Sequence, residues 1–187
     1  MELTLFAAYT AFFLWYLRRS PFYRLENIPD TWVLAAFVAK VLAGSALGWI
    51  YFHHYRDPAT SDTIKFFNDS GILFDSLREN PKHFLQMLTG IGGKDPELQP
   101  YYLKMNAWLN TDVLFNDNKT IIRMNTVFRF FSLGHYYVHV VLINLLSFTG
   151  LVALYRLFSS RLTKFHRILF FGIFFLDRKS TRLNSSH

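Results

Sequence analysis

Hydrophobic positions along this chain follow two rhythms. They are nearly continuous over Leu3–Leu17, Thr31–Phe52 and Tyr136–Leu157, and again from Ile168 to Leu176. Between residues 53 and 135 they recur every three or four positions among polar ones. Continuous runs of this kind predict membrane-crossing helices, because a hydrocarbon core of about 30 Å takes roughly 20 helical residues. Leu3–Leu17 reaches only about 22 Å, so its ends, with Trp15 and Tyr16, belong in the interface. It lacks the basic leader of a signal peptide, since Arg18 and Arg19 come after the apolar run, and it reads as an uncleaved span. The expected fold class is all-α: polytopic transmembrane helices, three complete (about 3–17, 31–52 and 136–157) and a fourth truncated (168–176), with a long amphipathic-helical extracytoplasmic loop over about 53–135.

The intervening segments carry their own punctuation. Arg18–Asp30 is a short connector in which Pro21 and Pro29 discourage helix, and Asp30 is placed to cap the next helix. In the loop, Ile64, Phe67, Phe74 and Leu77 fall on one face of a helix over Asp62–Leu77, with Gly71 as a weak point. Asn80-Pro81 opens a second helix with Phe84, Leu85 and Leu88 inward, and the glycines of Thr89–Lys94 end it. Leu98, Tyr101, Tyr102, Met105, Trp108 and Leu109 match helical spacing and predict a third. Asn110–Lys119 is turn-rich, and a last loop helix with Arg123 and Arg129 covers Thr120–Phe131. Helices wet on one face and apolar on the other lie on a membrane surface or cap a bundle. The small residues Ala43, Gly44, Ser45, Ala46 and Gly48 allow close helix contact in the second span.

Composition sharpens this reading. Of 187 residues, 51% are hydrophobic and 21 are Phe, a level suited to membrane spans. The absence of Cys removes disulfides, thiolate metal sites and a cysteine nucleophile. The formal charge of +7 is explained by basic cytoplasmic loops and implies no nucleic-acid partner. Arg18, Arg19 and Arg24 occupy the first connector, and Arg161, Lys164 and Arg167 the last. The positive-inside rule puts both in the cytoplasm, which leaves the N-terminus and the long loop outside a bacterial inner membrane. The C-terminal string Asp177–His187, DRKSTRLNSSH, resembles the translation of a sequencing adapter and is set aside from fold reasoning. It interrupts an apolar run, so residues 1–176 are expected to be the N-terminal fragment of one membrane domain.

Candidate chemistry is sparse. His53 and His54, near Asp57, suggest a metal site, but neighbours on a helix point about 100° apart, and interfacial side chains explain them better. TGIGGK lacks the spacing of a phosphate-binding loop. Asn118-Lys119-Thr120 is a formal glycosylation sequon. Lys40, inside the second span, is either packed or snorkelling, or pairs with an anionic ligand. Asp62 lies just beyond the outer end of that span, at the start of a loop helix. There a carboxylate either caps the helix or takes the proton of an incoming hydroxyl as a lipid phosphate leaves. Lys40, Arg56 or Arg123 can offset phosphate charge.

Asp62-Thr63-Ile64-Lys65-Phe66, followed by Asn68-Asp69, and the return RFFSLGHYYVHVVLINLLSFTGLVALYRL resemble the GT-C class of polyprenyl-phosphate-sugar-dependent integral membrane glycosyltransferases. The similarity spans roughly Thr31–Leu157. In that class the first outer loop opens on an acidic residue, often Asp-x-x-x-Tyr, and here Phe66 stands for Tyr, with an extra N-terminal span. The resemblance implies transfer of a sugar from a polyprenyl-phosphate carrier at the outer face, with Asp62 as catalytic base and Asp57 or Asp69 as alternatives. Some members use a divalent metal; no ligands for one are placed here. The alternatives are a non-catalytic membrane component of surface polysaccharide assembly and a membrane scaffold. The fragment itself is expected to be inactive.

Overall fold

The computed structural model describes residues 2–54, 61–108, 117–162 and 164–175. It is all-helical, with no strand among the described residues. The helices are α1 (Glu2–Arg19), α2 (Asp30–His53), α3 (Asp62–Glu79), α4 (Pro81–Thr89), α5 (Gln99–Tyr102), α6 (Asp117–Ser132), α7 (Tyr136–Ser159) and α8 (His166–Phe174). They sort into two compact units: Met1–Leu3 with Ser45–Leu142, and Thr4–Gly44 with Ile143–His187.

α2 and α7 are long and apolar enough to cross a membrane. Each has 24 residues and a mean hydropathy of 1.9, a length of about 36 Å. Only 28% and 39% of their most apolar windows are buried, whereas a core helix of a water-soluble domain would be covered on most sides. α1 forms where the sequence predicts it, with Phe13 and Leu17 inward. Its 18 residues include Glu2, Arg18 and Arg19, so it falls short of the same criterion. The 168–176 run forms α8 as far as Phe174.

The unit of Thr4–Gly44 and Ile143–His187 is cemented by aromatics. Phe37 and Phe148, both at 0% exposure, meet edge to face at 5.4 Å. Tyr23, in a short 3-10 turn over Pro21–Tyr23, stacks on Phe148 and shares a 2.8 Å hydrogen bond with the Thr149 hydroxyl. The Tyr155 hydroxyl donates to the Glu26 carbonyl and lies 3.1 Å from His166 Nδ1. Arg156 donates to the Phe22 carbonyl with its guanidinium over the Phe22 ring. Polar tips are thus satisfied locally while the rings fill the interior.

In the other unit, α3 packs most extensively on α6 and next on α4. The core is Leu73, Phe84, Met87, Leu98, Tyr102, Met105, Ala107, Trp108 and Ile122. α4 opens as expected: Asn80 Oδ1 accepts from the Lys82 amide, with Pro81 at the first helical position. It closes on Gly90 in the left-handed conformation (φ 82°). Of the expected inward residues, Phe84 is buried and Leu88 packs partly buried against the core, but Leu85 is 56% exposed, and His83 and Met87 are buried in addition.

The third loop helix is much shorter than its spacing suggests. A 3-10 turn over Pro96–Leu98 leads into α5, which ends after four residues. A helix running on to residue 109 would bond the Asn106 and Ala107 amides to carbonyls four residues back. Both amides instead donate to Asp69. Met105 and Trp108 still reach the core, so the apolar pattern is satisfied by an irregular chain.

The small-residue stretch of α2 admits an aromatic side chain against its backbone. Gly48 is buried against Tyr136 at the start of α7, where an added Cβ would lie 2.6 Å from Tyr136 Cε1.

Candidate functional site

α3 begins at Asp62, and Ser61 is its N-cap in extended conformation without a side-chain cap bond. The Asp62 carboxylate is 70% exposed and stands 4.0 Å from Lys65 Nζ one turn on. A carboxylate in the first turn is favoured by the helix dipole, and an exposed pair with this spacing adds little. Asp62 therefore stays open to solvent.

Asp69, two turns further along α3, has the opposite environment. It is fully buried. Oδ1 accepts from the Asn106 amide at 2.8 Å and from Asn106 Nδ2 at 3.3 Å, and Oδ2 accepts from the Ala107 amide at 2.6 Å. Both oxygens are committed to the protein, which gives Asp69 a structural post and leaves neither oxygen open to an incoming hydroxyl.

Arg123 is also committed. Nε donates to the Met87 carbonyl at 2.9 Å, and the guanidinium lies 5.4 Å from the centre of the Trp108 ring. The Met87 carbonyl is in the last turn of α4, where carbonyls lack intrahelical donors. Arg123 thus caps the C-terminal end of α4, and burial pulls its pKa down from the usual arginine value. Lys40 is half-buried in α2 and belongs to the unit of Thr4–Gly44 and Ile143–His187. Asp62, Asp69 and Arg123 belong to the other unit. Arg56 and Asp57 lie outside the described residues.

Two buried polar groupings had no signal in the sequence beyond residue type. Arg129 on α6 donates Nε to Ser70 Oγ at 2.9 Å and Nη2 to the Phe67 carbonyl, with its guanidinium over the Phe67 ring. Gly71 makes this possible: a Cβ there would stand 3.0 Å from Arg129 Nη2. Burial lowers the Arg129 pKa. The second grouping centres on His139, whose Nε2 is 2.6 Å from Asn125 Oδ1 and whose Nδ1 is 3.3 Å from Ser132 Oγ. An Asn oxygen only accepts, so the proton sits on Nε2 and Nδ1 accepts the serine hydroxyl.

The remaining sequence candidates fall to local chemistry. His53 stacks on Trp49 and places Nδ1 3.0 Å from the Trp49 carbonyl. The glycines of TGIGGK serve the turn after α4, with Gly90 and Gly92 at positive φ. The Asn118 side chain donates to the Ala107 carbonyl. Among the described residues no group of three or more His, Asp or Glu side chains is placed to hold a metal ion. A cavity of about 510 Å³ is lined by Asn27, Lys164, Phe165, His166, Arg167 and Ile168; two of these, Lys164 and Arg167, are the basic residues of the last connector, and none is a candidate catalytic or phosphate-binding residue. No family model, curated protein or solved structure matches this chain.

Proposed function

We propose that this chain is part of a membrane-embedded, glycosyltransferase-like protein that, as a whole, transfers a sugar from a lipid-phosphate carrier at the outer face of a bacterial inner membrane. α2 and α7 cross the bilayer, α1 and α8 supply the further spans, and the segment over about 53–135 forms an outer loop. The observation that carries the reading is the exposed Asp62 carboxylate in the first turn of α3, eight residues past the last described residue of the α2 span's end, His54. In this scheme an acceptor hydroxyl attacks the anomeric carbon. The carbon–oxygen bond to the carrier phosphate breaks, the phosphate departs with the electron pair, and Asp62 takes the hydroxyl proton. Of the cations read from the sequence, Arg56, six residues before Asp62, is the one proposed for the phosphate; the capping role of Arg123 takes it off the first rank of that set.

The test is Asp62→Asn in the full-length protein, purified and reconstituted with a polyprenyl-phosphate sugar and an acceptor. Sugar transfer should disappear while the thermal midpoint stays within a few degrees. Unchanged transfer would remove Asp62 as the base and favour the second reading, a non-catalytic membrane component of polysaccharide assembly or a scaffold. That reading is supported by the ordinary helix-start geometry of Asp62 beside Lys65.

A further inference from the structure

α6 is built inside out. Its inward residues are Lys119, Ile122, Arg123, Asn125, Thr126 and Ser132, five of them polar or charged. Beyond Thr120 and Asp117 at its start, its outward residues are apolar: Met124 (39% exposed), Val127 (44%) and Phe131 (56%), with Leu133 (67%) just past its end, while Phe130 (46%) lies partly outward and meets Phe74 and Phe84 edge to face. In water this arrangement is the wrong way round, because apolar surface left exposed forfeits about 25 cal/mol per Å² and buried cations must each find partners. The inward groups do find partners. Arg123 holds the Met87 carbonyl, Thr126 holds the Ile122 carbonyl, and Asn125 meets His139.

We infer that the outward face of α6 is immersed in the acyl region of the bilayer. This rests on the reading of α7 as a membrane span. Three observations select lipid as the occupant. α6 passes through a three-residue corner, Leu133–His135, directly into α7, one of the two helices apolar and long enough to cross a membrane. The outward apolar exposure rises steadily from Met124 to Leu133, toward that junction. The exposed charge on α6, Asp117, stands at the opposite end, about 24 Å away along a 16-residue helix. A helix inserted obliquely, wet at Asp117 and deep at Phe131, accounts for all three. Lysines and arginines that face the protein are then shielded from hydrocarbon instead of snorkelling out of it.

The chain has no cysteine, so single Cys substitutions label uniquely. Nitroxide labels at Asp117, Met124, Val127, Phe131 and, on α7, Leu146 in vesicle-reconstituted protein report collision with oxygen, which concentrates in lipid, and with a water-soluble nickel chelate. Val127 and Phe131 should favour oxygen over nickel by several-fold, Met124 less so, and Asp117 the reverse. Nickel access at Val127 and Phe131 would overturn the inference as a solvent-facing surface. Low access to both reagents would overturn it in favour of a protein partner or a second copy. Leu146 separates the two levels: oxygen access there with nickel access at Val127 leaves α7 in the membrane and removes α6, whereas nickel access at both removes the membrane reading itself. None of these outcomes depends on sugar transfer.

Discussion

Asp69 is the residue whose loss should be felt most. It is fully buried and holds the Asn106 and Ala107 amides at 2.8 and 2.6 Å. Hydrogen bonds to a charged group are worth about 1.5–3 kcal/mol each. Asp69→Ala breaks the two short backbone bonds, along with the longer one from Asn106 Nδ2, and strands two amides; the two short bonds alone cost roughly 3–6 kcal/mol against a total stability on the order of 5–15 kcal/mol. Asp69→Asn keeps one acceptor oxygen but turns an amide NH2 toward the other backbone N–H, so about half of that cost is expected. For a chain of this size each kcal/mol moves the midpoint by about 2–4 °C, which gives a fall of roughly 6–24 °C for the alanine variant. Thermal unfolding in detergent, followed by the fluorescence of buried Trp108, reads the shift. Hydrogen exchange of the peptide over residues 103–108 reads its location, and the 106 and 107 amides should lose protection first. Unchanged midpoints together with unchanged exchange in both variants would refute the assignment of Asp69 as the post that holds this segment.

Further outcomes follow from other contacts. Gly48→Val should lower the midpoint through a clash of about 1–3 kcal/mol, since even a Cβ would lie 2.6 Å from Tyr136 Cε1. A companion Tyr136→Ala should return part of that loss in a double-mutant cycle. Burial pushes the Tyr102 phenol up to about 12, so the neutral form is favoured in the folded state. Its contribution is complete below pH 10 and is lost as pH rises from about 10 through 12. Tyr102→Phe, measured by denaturation across that range, should remove this alkaline decline and cost about 1 kcal/mol at neutral pH through the lost bond to the Gly93 carbonyl. Cysteine placed at Asn116 should react with an impermeant thiol reagent in whole cells and cysteine at Ser160 should not; the reverse pattern would invert the topology.

What could be read in the sequence was what local chemistry decides. The start of α3 at Asp62, the opening of α4 at Asn80-Pro81 and its stop at Gly90 each depend on residues within a few positions; spacing places the first, and capping residues place the other two. The apolar runs of α2 and α7 were equally plain. The helix predicted over residues 98–109 failed because Asp69, 37 residues upstream of Asn106, takes its amides. No periodicity records so distant a competitor. Arg123 looked available for phosphate because a sequence shows charge and not partners. The inward turn of the α6 polar face was hidden for a related reason: amphipathic spacing gives the angle between two faces and leaves open which one meets the protein.

The corner between α6 and α7 has a mechanical consequence. Leu133 and Gly134 turn the chain with φ of 52° and 79°, a geometry that would suit a hinge. His139, one turn into α7, reaches back to Ser132 and Asn125 on α6, and these two struts brace the joint on its inner side. Bending there requires both to break at once in a buried setting, where unmet polar groups are expensive. α6 and the first turn of α7 therefore behave as one bent lever. A displacement applied to one arm is delivered to the other as rotation instead of being absorbed at the glycine.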